Sequence, residues 1–273
     1  MNVTFQDGNT VVSGVLCFNL ALTLGCGQAF RWEAQEDGSF CGVAGGRYLQ
    51  ILQEGDTLIF YDTSKEAYED FWQHYFDLER DYAAICETLA GDSLLKETVE
   101  AYEGIRILRQ EPWEALCSFV ISQQNNIKRI KLIIRRLCEA YGDDLGNGRY
   151  AFPTAEQLAG KNAADFEALG AGYRGKYLAR LAQDVAGGTV DLAKIKALPL
   201  QEAQKELMKC YGVGRKVADC ALLYGFGFDS AFPVDVWMKR VLAYYPDGLP
   251  ACFDGIEGIA QQYLFHWARM HFR

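Results

Sequence analysis

The sequence predicts an α+β protein, with an N-terminal antiparallel sheet lobe over residues 1–104 followed by a mostly helical remainder over residues 105–273. Three observations carry this. Up to about residue 62, β-branched and aromatic runs are separated by turn signals, as strands require. From about residue 65 onward, apolar residues recur at helical spacing instead. With 273 residues, 50% of them hydrophobic, the chain can bury a full core and fill two or three packed lobes.

Taken in order, Thr57-Leu-Ile-Phe-Tyr-Asp62 is the clearest strand, with Gly45-Gly46 and Glu54-Gly55-Asp56 as turns. Pro112 suits a first helical position and opens a helix towards Gln123. Ile127, Ile130, Ile134, Leu137 and Tyr141 then form one apolar stripe, and the opposite face of that helix carries its cations. Thr154 with Gln157 three residues on reads as a capping box, and Asp191 as another helix start. Glycines 170, 172, 187 and 188 punctuate the segments between.

Composition narrows the function. Val11–Cys26 is broken by Ser13, Gly14, Asn19 and Thr23 and no Lys or Arg precedes Arg31, so neither a membrane span nor a targeting segment is expected. Nine cysteines are scattered singly with no C-x-x-C, which favours reduced thiols and no zinc or iron–sulfur site. The net charge of −9 is uneven: residues 54–103 hold 14 Asp and Glu against 3 Lys and Arg. Residues 106–136 carry Arg106, Arg109, Lys128, Arg129, Lys131, Arg135 and Arg136 against Glu111 and Glu114, a basic stretch able to bind phosphates.

The segment Leu207-Met-Lys-Cys-Tyr-Gly-Val-Gly-Arg-Lys-Val-Ala-Asp219 places Gly212, Val213 and Gly214 between a helix ending near Cys210 and one starting near Gly214. Such a hairpin suits left-handed backbone and exposes N–H groups at a helix start, where a phosphate can be held; a glycine C-cap followed by an ordinary helix is the plainer reading. Lys216 falls in the first turn of the second helix and shares a face with Cys220. It is either a solvated surface charge or an amine whose pKa the helix dipole and a closed cleft would lower towards nucleophilicity. Cys220 either pairs electrostatically with it or is a small buried hydrophobe. Asp235, just after Pro233, caps a new helix, a role compatible with stabilising positive charge during chemistry.

Gly212-Val-Gly-Arg-Lys-Val-Ala-Asp219 together with Phe232-Pro-Val-Asp-Val236 resembles the helix-hairpin-helix glycosylase superfamily, and the lysine makes it similar to a bifunctional member. Gly27-Gln-Ala-Phe-Arg-Trp32, Ser118-Phe-Val-Ile-Ser-Gln-Gln-Asn-Asn-Ile-Lys-Arg129, Gly170-Ala-Gly-Tyr-Arg174 and Ala260-Gln-Gln-Tyr-Leu-Phe265 narrow the resemblance to 8-oxoguanine DNA glycosylases of the type with an N-terminal sheet lobe. The pieces run in family order from about residue 14 to the C-terminus.

The resemblance implies a two-lobed helical domain containing the helix-hairpin-helix at about residues 203–224, with the active site in the cleft. It implies that Lys216 attacks C1′, expels 8-oxoguanine lying opposite cytosine and forms a Schiff base, after which β-elimination nicks the strand. The carboxylate of Asp235 would stabilise the charge developing at C1′. Gly27 would offer its carbonyl to the base, Cys220 would belong to the pocket, Phe265 would stack and Gln261 would read the pairing edge. The target base must leave the duplex, which orphans a cytosine. Arg129 and Arg174 would bind that cytosine, Tyr173 would wedge into the gap, and Gln124 stands where the family usually has an asparagine filling the vacated space. Two further departures are Trp237, where a histidine is frequent, and Cys210-Tyr211, where Leu-Pro is commoner.

The expected partner is double-stranded DNA containing 8-oxoguanine, bound by a monomer with no membrane involvement, in a bacterial cytoplasm at the nucleoid. No cofactor is expected to be required, with a monovalent or divalent cation at the hairpin–phosphate contact as the one addition the resemblance allows. The competing readings are a glycosylase of the same fold for alkylated purines and a non-catalytic DNA-binding module.

Overall fold

A computed structural model of the chain describes residues 1–272. Six strands, β1 (Asn2–Gln6), β2 (Asn9–Ser13), β3 (Trp32–Ala34), β4 (Phe40–Ala44), β5 (Arg47–Glu54) and β6 (Thr57–Phe60), pair antiparallel in the order β1-β2-β6-β5-β4-β3. The register sets Val12 opposite Leu58 and Ile51 opposite Phe60. Because side chains alternate across a strand, that register gathers Val12, Leu49, Ile51, Leu58 and Phe60 into one buried set. Aromatic residues from the helical turns that follow cover them: Phe60 meets Tyr68 at 5.2 Å and Phe76 at 5.8 Å between ring centroids.

The remainder is helical, apart from a small two-stranded hairpin, Asp144–Gly146 with Arg149–Tyr150. Its centre is the helix Pro112–Ser122, which begins on Pro112 as expected and is buried continuously from Ala115 to Ile121. The helix Ile127–Tyr141 buries Ile130, Ile134 and Leu137 of its stripe. The capping box at Thr154 and the cap at Asp191 both form. The observed architecture is therefore the α+β arrangement expected, an antiparallel sheet followed by a helical domain.

Two hydrophobic cores exist, and they interlock. Leu108, from the segment leading into the helical domain, packs in the sheet core, whereas Cys26 and Phe30, from the sheet lobe, pack in the helical one. Arg106 crosses between them, donating to the carbonyls of Leu16 at 2.7 Å and Asp77 at 2.7 Å. Arg109 bridges Asp77 at 2.9 Å and Asp229 at 2.8 Å, and Arg80 reaches Asp229 at 2.7 Å. Arg106 and Arg109 therefore drop out of the basic stretch read over residues 106–136, whereas Lys128, Arg129, Arg135 and Arg136 of that stretch are exposed. Arg106 is 3% exposed and the Arg109 side chain 7%, so both are internal fasteners.

Removing one partner of a buried ion network leaves the others desolvated and unpaired, at about 3–5 kcal/mol. Arg109→Ala is therefore expected to lower urea-unfolding stability by about that amount, whereas Arg180→Ala, which removes a side chain 60% exposed in its pair with Asp184, is expected to change it by less than about 1 kcal/mol.

Candidate active site

The hairpin is built from the helices Leu200–Met208 and Arg215–Ala221. Asp219, buried on the second, accepts from Gln204 of the first and from Arg215 Nε at 3.4 Å, clamping the two helices together. Gly212 turns the chain at φ +85°, and a β-carbon there would lie 2.2 Å from the Tyr177 ring. Only glycine fits both constraints. Val213 points inward and spends its N–H on Cys210 O at 3.0 Å, so it is not among the outward donors the sequence suggested. Gly214 occupies the N-cap in extended conformation with no side-chain cap, leaving the first N–H groups of the next helix without a side-chain acceptor.

Lys216 follows in that first turn. Its Nζ lies 5.5 Å from the Phe119 ring centroid, and the residue is half-buried at the edge of a cleft of about 780 Å³. Asp235 lines the same cleft and caps the helix Val236–Val241, its Oδ1 accepting from the N–H groups of Trp237 and Met238, both at 2.9 Å. Its Oδ2 accepts no hydrogen bond among the described residues. Cys220 lies behind Lys216 and is buried. Burial pushes its thiol up to about 11, opposed mainly by Lys216. The neutral thiol is therefore a small buried group, not the anionic half of an ion pair, and it does not itself line the cleft.

The sheet lobe supplies the facing wall. Gly27 adopts φ +90°, and its β-position lies 3.5 Å from Ile127, 3.7 Å from Arg269 Nη1 and 3.9 Å from the Phe265 ring. Gly27, Phe265, Lys216 and Asp235 thus line one cleft, although they come from distant parts of the chain. Gln261 shares the helix Glu257–His271 with Phe265, but it is 3% exposed and does not line the open cleft. Among the described residues its Oε1 is buried without a hydrogen-bond partner, which is unusual for a buried acceptor.

At the cleft mouth, Gln124 is exposed and strained at φ +47°. Arg174 does not face solvent as a free donor. It is 4% exposed, and its guanidinium donates to the carbonyls of Gln123, Gln124 and Ala171, at 3.0 Å for Gln124. Tyr173 stands 43% exposed beside it, with its hydroxyl donating to Gln123 O at 3.5 Å. Arg129 is exposed, and its guanidinium donates to Gly170 O at 3.3 Å, with no other hydrogen bond among the described residues. Trp237 lines the cleft under the Arg240 guanidinium.

Two site residues escaped the sequence reading. Gln123 links the mouth to the hairpin, donating from Nε2 to Gly212 O at 3.1 Å while its own carbonyl accepts from Arg174. Arg269 lines the base-side wall. The i, i+4 spacing from Phe265 was a legible signal for Arg269, since it puts both on one helix face. The cleft's charged lining comprises Arg215, Lys216, Lys239 and Arg269 against Asp235 alone. The local field therefore favours a polyanion in spite of the net charge of −9.

Comparison with known proteins agrees with this geometry. Residues 11–116 match the 8-oxoguanine DNA glycosylase N-terminal domain, and residues 117–245 match the HhH-GPD superfamily base excision DNA repair protein. The 8-oxoguanine glycosylase/lyase of Clostridium acetobutylicum, solved with double-stranded DNA containing cytosine opposite to 8-oxoG, is 38% identical with a TM-score of 0.94. The match covers 100% of this chain and 99% of that one. The chain belongs to the 8-oxoguanine DNA glycosylase family. Among curated relatives, the N-glycosylase/DNA lyase OGG1 of Arabidopsis thaliana is 31% identical over 239 residues, 83% of this chain and 66% of that protein. The N-glycosylase/DNA lyase of Saccharomyces cerevisiae is 38% identical over 154 residues, 51% of this chain and 41% of that one. The chain thus spans less than two thirds of the length of these curated members of the family.

Among the described residues, no cluster of His, Cys, Asp or Glu could hold a metal ion, and no helix is long and apolar enough to cross a membrane. At the hairpin, the carbonyls of Cys210 and Gly212 already accept from Val213 N–H and Gln123 Nε2.

The two hairpin glycines should respond differently to substitution. Gly212→Ala meets the Tyr177 ring at positive φ and is expected to cost about 1–3 kcal/mol in thermal or chemical unfolding. A β-carbon on Gly214 meets nothing within 4 Å, so Gly214→Ala is expected to leave stability nearly unchanged and to weaken duplex binding, measured by fluorescence anisotropy, by crowding the phosphate approach.

Proposed function

We propose that the chain is a bifunctional DNA glycosylase and lyase, acting as a monomer, that flips 8-oxoguanine out of a duplex opposite cytosine, excises it and nicks the strand. The observation that carries this reading is the convergence of Lys216, Asp235, Gly27 and Phe265 on one cleft with Gly214 of the glycine hairpin at its edge.

The amine of Lys216 attacks C1′ through its nitrogen lone pair as the C1′–N9 bond breaks, and the bonding electron pair leaves with the base. Asp235, fixed by two backbone N–H groups through one oxygen, keeps its other oxygen for the positive charge developing at C1′. The amine sheds its proton, the sugar ring opens and a Schiff base forms. Loss of a C2′ proton then expels the 3′ phosphate by β-elimination. Atoms and electrons balance without a cofactor, so chelation with EDTA is expected to leave base release unchanged.

Base choice rests on one hydrogen bond. 8-Oxoguanine carries N7–H where guanine has a bare acceptor, so the Gly27 carbonyl gains a bond with the lesion and meets lone-pair repulsion with guanine. Phe265 stacks on the base. Gln261, whose Oε1 lacks a partner, accepts from the pairing edge once the wall opens to the flipped nucleotide. Tyr173 replaces the lost stacking in the gap, and Gln124 reaches into the vacated space. Arg129 provides the accessible donors for the orphaned cytosine. Arg174 acts by holding the Gln123–Gln124 turn against which that cytosine lies.

Borohydride reduction on an 8-oxoguanine:cytosine duplex is expected to trap a covalent adduct with the unmodified protein and none with Lys216→Gln; an undiminished adduct with that variant contradicts the assignment. Asp235→Asn keeps a good N-cap and is expected to slow base release by roughly a hundredfold with stability preserved. Alkylated-purine release exceeding 8-oxoguanine release on a lesion panel would move the substrate to the alternative class.

The two arginines are separable on duplexes with each of the four opposite bases. Arg129→Ala is expected to flatten the preference for cytosine at unchanged stability. Arg174→Ala frees three carbonyls, so it is expected to weaken binding opposite every base alike and to lower stability by about 1–3 kcal/mol. Equal cutting opposite all four bases by the unmodified protein would refute the role of Arg129.

A further inference from the structure

Arg269 sits on the base-side wall, and none of the segments that carry the family resemblance includes it. It follows Phe265 by one helical turn, with its guanidinium carbon 5.5 Å from the Phe265 ring centroid and Nη1 3.7 Å from the β-position of Gly27. The residue is half-buried, lines the cleft, and has no hydrogen-bond or ion-pair partner among the described residues. The titratable groups near it are the Cys26 thiol, which burial pushes up to about 11, and His266, which burial and Arg269 itself hold below the usual imidazole range. Neither supplies a counter-anion. A half-desolvated guanidinium without an acceptor is costly, so the site is built to receive one.

The identity of that acceptor follows from position. The hairpin that would hold the DNA backbone carries Lys216 and Arg215, whereas Arg269 lies against Phe265 and Gly27, where the base would stack and present N7–H. N7 of an oxidised purine is flanked by two carbonyl oxygens, on C8 and on C6. Donors placed beside the Gly27 carbonyl therefore meet one of these oxygens whenever that carbonyl meets N7–H. We infer that Arg269 is a leaving-group contact, donating to a purine carbonyl oxygen flanking N7 and stabilising the negative charge that the base acquires as the C1′–N9 bond breaks. The electron pair released onto N9 delocalises into the C8 and C6 carbonyls, and the base takes up a proton from water after departure. A fixed guanidinium there binds the departing anion more strongly than the neutral base, which is the condition for lowering a barrier.

This inference rests on the proposed excision chemistry, and its test separates the two. Single-turnover base release from an 8-oxoguanine:cytosine duplex is measured beside strand cleavage of a duplex with a preformed abasic site, which contains no base to hold. Arg269→Ala and Arg269→Gln are expected to slow base release roughly tenfold to a hundredfold, Arg269→Lys to restore most of it, and all three to cleave the abasic duplex within about twofold of the unmodified protein. Base release at the unmodified rate in Arg269→Ala would overturn the inference. So would parallel loss of both steps, which would assign Arg269 to a phosphate or to folding, with thermal unfolding deciding which. Absence of base release and of a trapped adduct in the unmodified protein would instead defeat the excision reading itself.

Discussion

The side-chain amide of Gln28 donates to the carbonyls of Thr23 at 2.9 Å and Arg106 at 2.7 Å, and accepts from the N–H of Leu108 at 2.8 Å. The carbonyl of the same residue accepts from Gln110 Nε2 at 2.8 Å. Gln28 is wholly buried, and its bonds to Arg106, Leu108 and Gln110 tether the loop after the sheet lobe's first helix to the segment entering the helical domain. In a low-dielectric interior a satisfied network of this kind is rigid, and leaving any member unpaired is costly. Gly27, its immediate neighbour, inherits that rigidity. The proposed pocket depends on it, because Gly27 belongs to one lobe and Lys216 to the other, and a contact that would discriminate by a single hydrogen bond tolerates little displacement.

A second fixed joint lies across the cleft. Gln123 accepts from Arg174 through its carbonyl and donates to Gly212 O through its amide. The strained backbone at Gln124 is held between these contacts, as unfavourable backbone usually is at a working site. The arrangement couples the element that would fill the gap in the duplex to the element that would grip its backbone. In the proposed reaction, DNA docking on the hairpin and entry of Tyr173 into the stack would then occur in one register. Tyr177 strengthens the coupling, since its ring closes over Gly212 and meets Tyr173 at 5.8 Å between centroids.

Much of this was legible in the sequence wherever the signal was local. Glycine spacing marked the hairpin, proline and aspartate marked the helix start at Asp235, and alternation in Thr57–Asp62 marked a central strand. The caps at Thr154 and Asp191 announced themselves through residues three positions apart or fewer. What stayed hidden was long-range pairing. Nothing local distinguishes Arg106 and Arg109, which fasten the interior, from Arg129, which faces solvent, and a count of charges treated all three as one basic stretch. Gln28 and Gln123 looked like ordinary polar residues because their partners lie up to 82 and 89 positions away. Arg174 was read as a base contact on its motif, yet four of its five N–H donors already go to backbone carbonyls. The hairpin at Asp144–Tyr150 was short and exposed, so it carried no hydrophobic pattern to reveal it.

The chemistry finally turns on which amine in an electropositive cleft reaches the sugar. Lys216 and Lys239 both line it, but they differ in setting. Lys216 is half-buried against Phe119 and Cys220 on the hairpin helix, whereas Lys239 is exposed on the helix that Asp235 caps. Proteolysis and mass spectrometry of the borohydride-reduced complex with an 8-oxoguanine:cytosine duplex would locate the sugar remnant directly. The remnant is expected on the peptide containing Lys216, at Nζ. A remnant on Lys239 or on the N-terminal amine, with Lys216 unmodified, would contradict it.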